Sequence, residues 1–350
     1  MSKIGIDLIM ENVPVNPGSH KASWLYMWAS QLRYAGNEVE VLHKKEWDDY
    51  DKIYIHQGSL IEDFAPNVFG GVSDKTVAKL RRLVEHDISK FVALDIPMID
   101  YGKFIKSRLH NKSTHPSAQE VDWDKVSEVC KKIPVMKQKD LATDWLIIGD
   151  SHSFSMYQPG AMLCRTDGKT LNGALNAGIR NVVNEHGNQI KKLTLYFGNI
   201  DLRHHLCRLN SGDHVKNIDD LISRYKTELL DLNRDYQIEL ISALPIENES
   251  RYIPNSIGRY KGQPFTGSWA QRTEAYKYFN VKLKEVADEL NLELYTHPSE
   301  YLNDKGELSF DVMEPKQNVH LSRQWYRWDL DNDVKREFKK LVKQTTTSLF

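Results

Sequence analysis

Residues 146–153 read Leu-Ile-Ile-Gly-Asp-Ser-His-Ser, an apolar run that stops at a glycine and a series of polar groups. Such a run reads as a buried strand ending in a tight turn that exposes the hydroxyl of Ser151. Three uses are open to that hydroxyl: nucleophile, ligand-holding group, or cap of the next segment. A nucleophilic serine needs a base to take its proton and donors aimed at the developing oxyanion. Further polar stops follow in the same half: Gly198-Asn199-Ile200-Asp201 leading into Arg203-His204-His205, then Leu244-Pro245, then Asn318-Val319-His320-Leu321-Ser322. The cluster from Asp201 to His205 is denser in polar groups than one strand end needs. Arg203 or Arg208 suits bidentate binding of a phosphate or carboxylate. Adjacent histidines beside an aspartate raise the question of a metal, but neighbouring side chains diverge and no third ligand pattern accompanies them, so none is expected. The plainer reading buries one histidine and exposes the other.

Polar groups at strand ends need a sheet behind them, since parallel α/β sheets bind ligands beyond their carboxyl ends. The front of the chain alternates strand and helix. KIGIDLIM, EVEVLH, YDKIYIHQG and KFVALDIP read as strands, SHKASWLYMWASQLRYAG as a helix stopped at Gly36, and residues 74–85 as another helix. Residues 111–140 are polar and read as a linker or excursion. Alternation then restarts with DWLIIGDS, a helix over residues 174–185, KKLTLYFG, a helix over 218–232, YQIELISALP, a helix over 269–290, LELYTHP, and a final helix after Trp328. The expectation is an α/β protein of two doubly wound (Rossmann/flavodoxin-like) parallel-sheet lobes, residues 1–140 and 141–350.

Composition narrows the class. Hydrophobic residues make up 40 % of the 350 and charged residues 27 %, ordinary for a globular protein. Nothing approaches a membrane span, and the N-terminus reads as a first strand without a cleavage site, so a cytoplasmic protein is expected, in the host cytoplasm if it is viral. Cys130, Cys164 and Cys207 are scattered, which fits reduced thiols. A net charge of −1 exerts no global pull on nucleic acid. Local basic groups such as Lys103, Lys106, Arg108 and Lys112 read first as solvated faces.

The second half resembles the SGNH (GDSL-like) hydrolase superfamily, on the order of its stops as well as their residues. By that resemblance Ser151 falls on the nucleophile, Asn199 close to the oxyanion asparagine, and His320 on the base. Gly173 matches the oxyanion glycine, with Gly168 and Gly178 as rivals. Asp150 and His152 flank the serine and are expected to line its pocket, as are Asp201, Arg203, His204, His205 and Arg208. One departure matters: the family usually carries an aspartate three residues before the base, where this chain has Gln317. Neutralising that carboxylate in a serine protease costs ~10⁴ in rate. Asp311 or Glu314 could substitute from the same loop.

The front half is similar to the first lobe of the phage DNA β-glucosyltransferases, two-lobed GT-B enzymes that modify hydroxymethylated cytosine in DNA. The shared features are the YDK-plus-apolar strand, the turn in NVFGG, and the strand end in KFVALDIP. The resemblance implies that Asp95 activates an acceptor hydroxyl. A strand-end acid beside Ile96 and Pro97 suits a desolvated base; capping a turn is the alternative. Gly18, Ser19, His20 and Lys21 form the natural ligand loop of this lobe, at a helix start that favours anions. RYIPNSIGRYKGQPFTGSW is a loop able to stack a flipped base or merely to connect. Together these give the lead expectation, a viral-type transferase acting on the 5-hydroxymethyl group of a modified pyrimidine in double-stranded DNA with a flipped base. It would have no tightly bound cofactor and would use an activated donor as co-substrate: glycosyl first, with amino acid or acyl open. The alternative is an SGNH esterase or O-acyltransferase acting on a carbohydrate or small ester; a third reading is a binding module.

Overall fold

The structure is a computed structural model that describes residues 2–7, 20–42, 47–56, 82–94, 123–141, 143–165, 169–251, 265–313, 319–322 and 325–327. The chain divides into two compact units, one built on Met1–Leu141 and the other on Ala142–Asp329. Each contains a five-stranded sheet in which all neighbouring strands run parallel.

In the first unit β1 (Lys3–Asp7), β2 (Glu38–Leu42), β3 (Lys52–His56), β4 (Phe91–Leu94) and β5 (Val135–Met136) lie in the order β2-β1-β3-β4-β5. Ile4 and Ile6 of β1, Ile53 and Ile55 of β3, and Phe91 of β4 are buried. Helix α1 (His20–Tyr34) buries Met27, Trp28, Ala29 and Leu32. It ends where Gly36 takes a φ of +87°, a conformation that costs a glycine little. Within the stretch expected as a linker, Trp123–Lys132 forms helix α2, and β5 pairs with β4. The polar composition of α2, whose Lys125 and Glu128 are exposed, hid it as a helix.

In the second unit β6 (Trp145–Gly149), β7 (Ala161–Arg165), β8 (Lys192–Tyr196), β9 (Gln237–Ile241) and β10 (Glu293–Tyr295) lie in the order β10-β9-β8-β6-β7. The central strands are buried nearly throughout, as a sheet covered on both faces requires. Leu146, Ile148, Leu193, Leu195 and Leu240 form a core with Ile218, Leu221, Tyr225 and Leu229 of α6 (His214–Leu232) and with Phe279 and Leu283 of α7 (Trp269–Leu290). A capping box starts α7: Gln271 N donates to Ser268 Oγ at 3.1 Å, and Ser268 N donates to Gln271 Oε1 at 2.9 Å. The helix expected over residues 174–185 is instead two, α3 (Leu171–Ala177) and α4 (Ile179–His186), broken at Gly178 with φ +78°. The molecule thus has the expected α/β class of two parallel-sheet lobes.

Candidate active site

Ser151 owes its position to Gly149. That residue ends β6 in register with Tyr196 of β8, and a Cβ on it would run into the Tyr196 carbonyl oxygen and approach Ser153 Cβ to 2.8 Å. The chain then turns sharply. Asp150 N donates to Tyr196 O at 3.2 Å, the Asp150 carboxylate accepts His152 N at 2.8 Å, and Ser153 N and Oγ both donate to the Asp150 carbonyl. An aspartate receiving the N–H two residues on is an Asx-turn, and it leaves Ser151 at the apex. Among the described residues nothing accepts the Ser151 backbone N–H.

His320 comes to the serine from the C-terminal part of the unit. Its flank is tied by a bridge between Met313 and Leu321 and by Ser322 N donating to Val312 O at 2.7 Å. His320 Nε2 lies 2.7 Å from Ser151 Oγ, across 169 residues of sequence. Asn199 arrives from helix α5 (Asn199–His204), which begins beyond β8 at Gly198. Gly198 has φ +104°, and a Cβ there would stand 2.6 Å from Phe279 Cζ, so the approach needs a glycine. The Asn199 amide is held in one orientation: its oxygen accepts Leu244 N at 2.8 Å and its nitrogen donates to Asp150 Oδ2 at 3.2 Å. The amide nitrogen also stands against the Tyr196 hydroxyl, and its two N–H groups are the donors this strand end offers.

The floor under these groups is charged. Asp150 is fully buried, and desolvation raises its carboxyl to about 7 against the pull of its bonds from His152 N and Asn199. Arg203, 3 % exposed, donates to His152 Nε2 at 3.0 Å and to Asn199 O at 3.3 Å. Its Nε faces Glu247 at 3.8 Å, and Glu247 is paired more closely with Arg272 at 2.8 Å. Burial lowers the Arg203 guanidinium below its usual value, with Glu247 and Asp150 opposing.

No family model and no curated protein matches the chain. Solved structures do. A GDSL-like lipase from Bacteroides thetaiotaomicron VPI-5482 is 13 % identical with a TM-score of 0.38, covering 58 % of this chain and 88 % of that one. A lipase/acylhydrolase from Enterococcus faecalis is 12 % identical with a TM-score of 0.36, covering 58 % and 96 %. A carbohydrate acetylesterase family member from Sinorhizobium meliloti is 13 % identical with a TM-score of 0.35, covering 58 % and 98 %. Each likeness is partial and confined to part of the chain.

The lead expectation of a glycosyl-transferring enzyme is corrected to a hydrolase or acyltransferase. Among the described residues the site geometry is a serine against a histidine. The labels of glycosyltransferase and DNA modification fall with it, and nothing supports a GT-B lobe at the front. Asp95, Gly18 and Ser19 lie outside the described residues; His20 and Lys21 open α1, with side chains outside them too.

The remaining candidates separate. Gly173 N donates to Thr170 Oγ1 at 2.8 Å inside the first turn of α3, so that donor is already engaged; Gly168 lies outside the described residues. Asp201 is buried, and its carboxylate accepts Leu171 N at 2.7 Å and Asn172 N at 3.3 Å. It holds the start of α3, and burial raises its carboxyl. His204 packs edge-on against Phe265 at 5.3 Å, and Arg208 reaches His205 Nδ1 at 3.1 Å. His205 and Asp201 line a cleft of about 310 Å³ with Thr170, Asn172 and Arg224. Asp311 is exposed, and its carbonyl accepts Trp325 Nε1; Glu314 and Gln317 lie outside the described residues. Sequence reasoning missed Glu247 and Arg272, although a glutamate just beyond the apolar run ISALPI was the available signal. Among the described residues no helix is long and apolar enough to cross a membrane.

Proposed function

We propose that the second unit is an SGNH-type serine esterase or O-acyltransferase acting on a small or carbohydrate ester. The 2.7 Å contact between Ser151 Oγ and His320 Nε2 carries this reading. Ser151 Oγ bonds to the ester carbonyl carbon while its proton passes to His320 Nε2. The carbonyl oxygen takes the negative charge, facing the Ser151 N–H and an Asn199 amide N–H. Collapse breaks the ester C–O bond, and His320 returns the proton to the leaving alcohol. Water, or an acceptor hydroxyl, then attacks the acyl-serine with His320 as base again.

This chemistry requires no metal and no bound cofactor; an acyl donor enters as substrate. Contact with DNA is not needed by it. Gln317 predicts a modest turnover, since a neutral amide stabilises imidazolium less than a carboxylate does. An aryl fluorophosphonate tests the reading: stoichiometric labelling of the full chain, lost in Ser151→Ala, is expected. Absence of labelling across pH 6–9 rejects it.

A further inference from the structure

His152 follows the serine and is 3 % exposed. Its Nε2 stands 3.0 Å from Arg203 Nη1. A guanidinium only donates, so this ring nitrogen is a bare acceptor and the imidazole is neutral, with its proton on Nδ1. The same ring lies against that of His320, centroids 4.4 Å apart and planes inclined by 37°. Tyr196, at the end of β8, meets His152 edge-on at 6.3 Å. One neutral ring thus contacts both the group that fixes its tautomer and the base that serves Ser151.

We propose that His152 is a positioning residue, clamped neutral by Arg203, whose ring face holds His320 on Ser151 and receives the imidazolium as the proton transfers. The proposal deepens the esterase reading and rests on it. When His320 takes the Ser151 proton it becomes a cation. A second cationic ring 4.4 Å away would oppose that step. A neutral aromatic face instead offers electron density to the charge. Gln317 cannot supply a negative charge by its own chemistry, so a stacked neutral ring has more to contribute here than beside a carboxylate.

Among the described residues, charged and titratable groups face His152 from several elements. Arg203 faces it from α5, Tyr196 from β8, His320 from the C-terminal segment, and Asp150 precedes it in its own turn. Glu247 lies behind Arg203 and is shared with Arg272. Arg203 presents its positive charge directly to His152, which is what disfavours protonation of that ring.

The test follows fluorophosphonate labelling rates against pH in the full chain. His152→Gln keeps an acceptor for Arg203 but has no ring face, and is expected to label about tenfold more slowly, the scale of an aromatic pair. His152→Phe keeps the face and is expected to lose less. Arg203→Met frees His152 to titrate, so the acid limb of the profile moves to higher pH; adding His152→Phe removes that movement. Histidine-selective ¹⁵N NMR of the unsubstituted protein decides the tautomer without any variant, with His152 expected as the neutral Nδ1–H form. An Nε2–H tautomer, ordinary titration, or a His152→Gln variant as fast as the parent overturns the proposal. If the parent protein does not label, the esterase reading falls and this role with it, while the spectrum still reports whether Arg203 clamps the ring.

Discussion

Numbered within its own unit, the second sheet runs 2-1-3-4-5 (β7-β6-β8-β9-β10), and so does the first (β2-β1-β3-β4-β5). The two differ in what they bury. Among the described residues the first unit buries the polar side chains Ser30, Gln31 and Gln138, none of them charged. The second buries Asp150, Asp201, Arg203, Glu239, Glu247, Arg272 and Glu307. Taking a charge out of water costs several kcal/mol per ion even after relaxation. The first sheet is evidence that this strand order can be assembled without it. Two of the second unit's buried charges, Asp150 and Arg203, lie at the ends of β6 and β8, where the strand order reverses and ligands of such sheets bind. Glu239 instead sits within β9, and Glu307 accepts from Asn303. Asp150 and Arg203 both contact the groups that surround Ser151, so that part of the surplus polarity belongs with the chemistry.

The sharpest way to break that contrast is to find serine chemistry dependent on the first unit. Ser151→Ala and His320→Ala are each expected to lower ester hydrolysis by at least ~10³, the scale of triad losses in serine hydrolases. Asp95→Asn is expected to leave it within about twofold, the range of substitutions outside a site. Hydrolysis of p-nitrophenyl acetate measures all three, and an Asp95 loss comparable to that of Ser151 would return the front unit to the chemistry. Next in size is Asn199→Ala, expected to cost ~10²–10³ in kcat with KM little changed, as for loss of one oxyanion donor. An unchanged kcat would make the Asn199 amide a structural tie between Asp150 and Leu244 and no more.

Sequence legibility followed the same division between local and distant causes. Helix α7 was readable to its ends, Trp269–Leu290, because its periodicity and its Ser268–Gln271 capping box are local. The stop at Gly149-Asp150-Ser151 was readable because an apolar run ends there abruptly. Strand β7 was not: AMLCR is only four apolar residues and an arginine after Pro159-Gly160, with no alternation to declare it. Asp201 stood out from its neighbours in sequence, but nothing there shows that its carboxylate accepts the N–H of Leu171, 30 residues upstream. The contact of Arg203 with His152 spans 51 residues, and no spacing rule reaches across it. Strand ends told where chemistry gathers; the fold alone told which polar groups hold it up.

Asp150 sharpens the comparison through stability. Its folded carboxyl lies at about 7, raised by burial, against ~3.9 in an unfolded chain. Between those values the native state holds a proton that the unfolded state has released. Stability on this account is full below pH 4 and falls as pH rises through 7, by a ceiling of about 4 kcal/mol for three pH units at 1.36 kcal/mol each. Relaxation around a buried charge reduces such figures, so about half is expected. Urea melts at pH 5 and pH 8 should converge in Asp150→Asn, which has no proton to lose. Persistence of the full pH difference in that variant would mean that another buried carboxyl, Asp201 first, carries it.

The smallest effect belongs to His297 in the second unit, beyond the end of β10. Burial lowers it to about 4, while its Nε2 lies 3.0 Å from the Ser242 carbonyl and 3.1 Å from the Tyr196 hydroxyl. The carbonyl can only accept, so Nε2 carries the proton and the neutral ring donates it to Ser242. Here the sign is opposite to that of Asp150. The folded pKa lies below the unfolded 6.5, so the unfolded chain gains a proton first, and stability is lost as pH falls from 6.5 to 4. The ceiling is about 3 kcal/mol, and about 1 is expected once water reaches the ring on partial opening. His297→Gln keeps a donor for the Ser242 carbonyl and cannot titrate, so its urea midpoint at pH 4.5 should lie closer to its own midpoint at pH 7 than the parent's does. Because Tyr196 touches both His297 and His152, the same variant also reads whether this acid-sensitive group communicates with the site. A fluorophosphonate labelling profile identical to the parent's would confine His297 to stability, and a displaced acid limb would extend the functional network from β8 to the β10 end of the sheet.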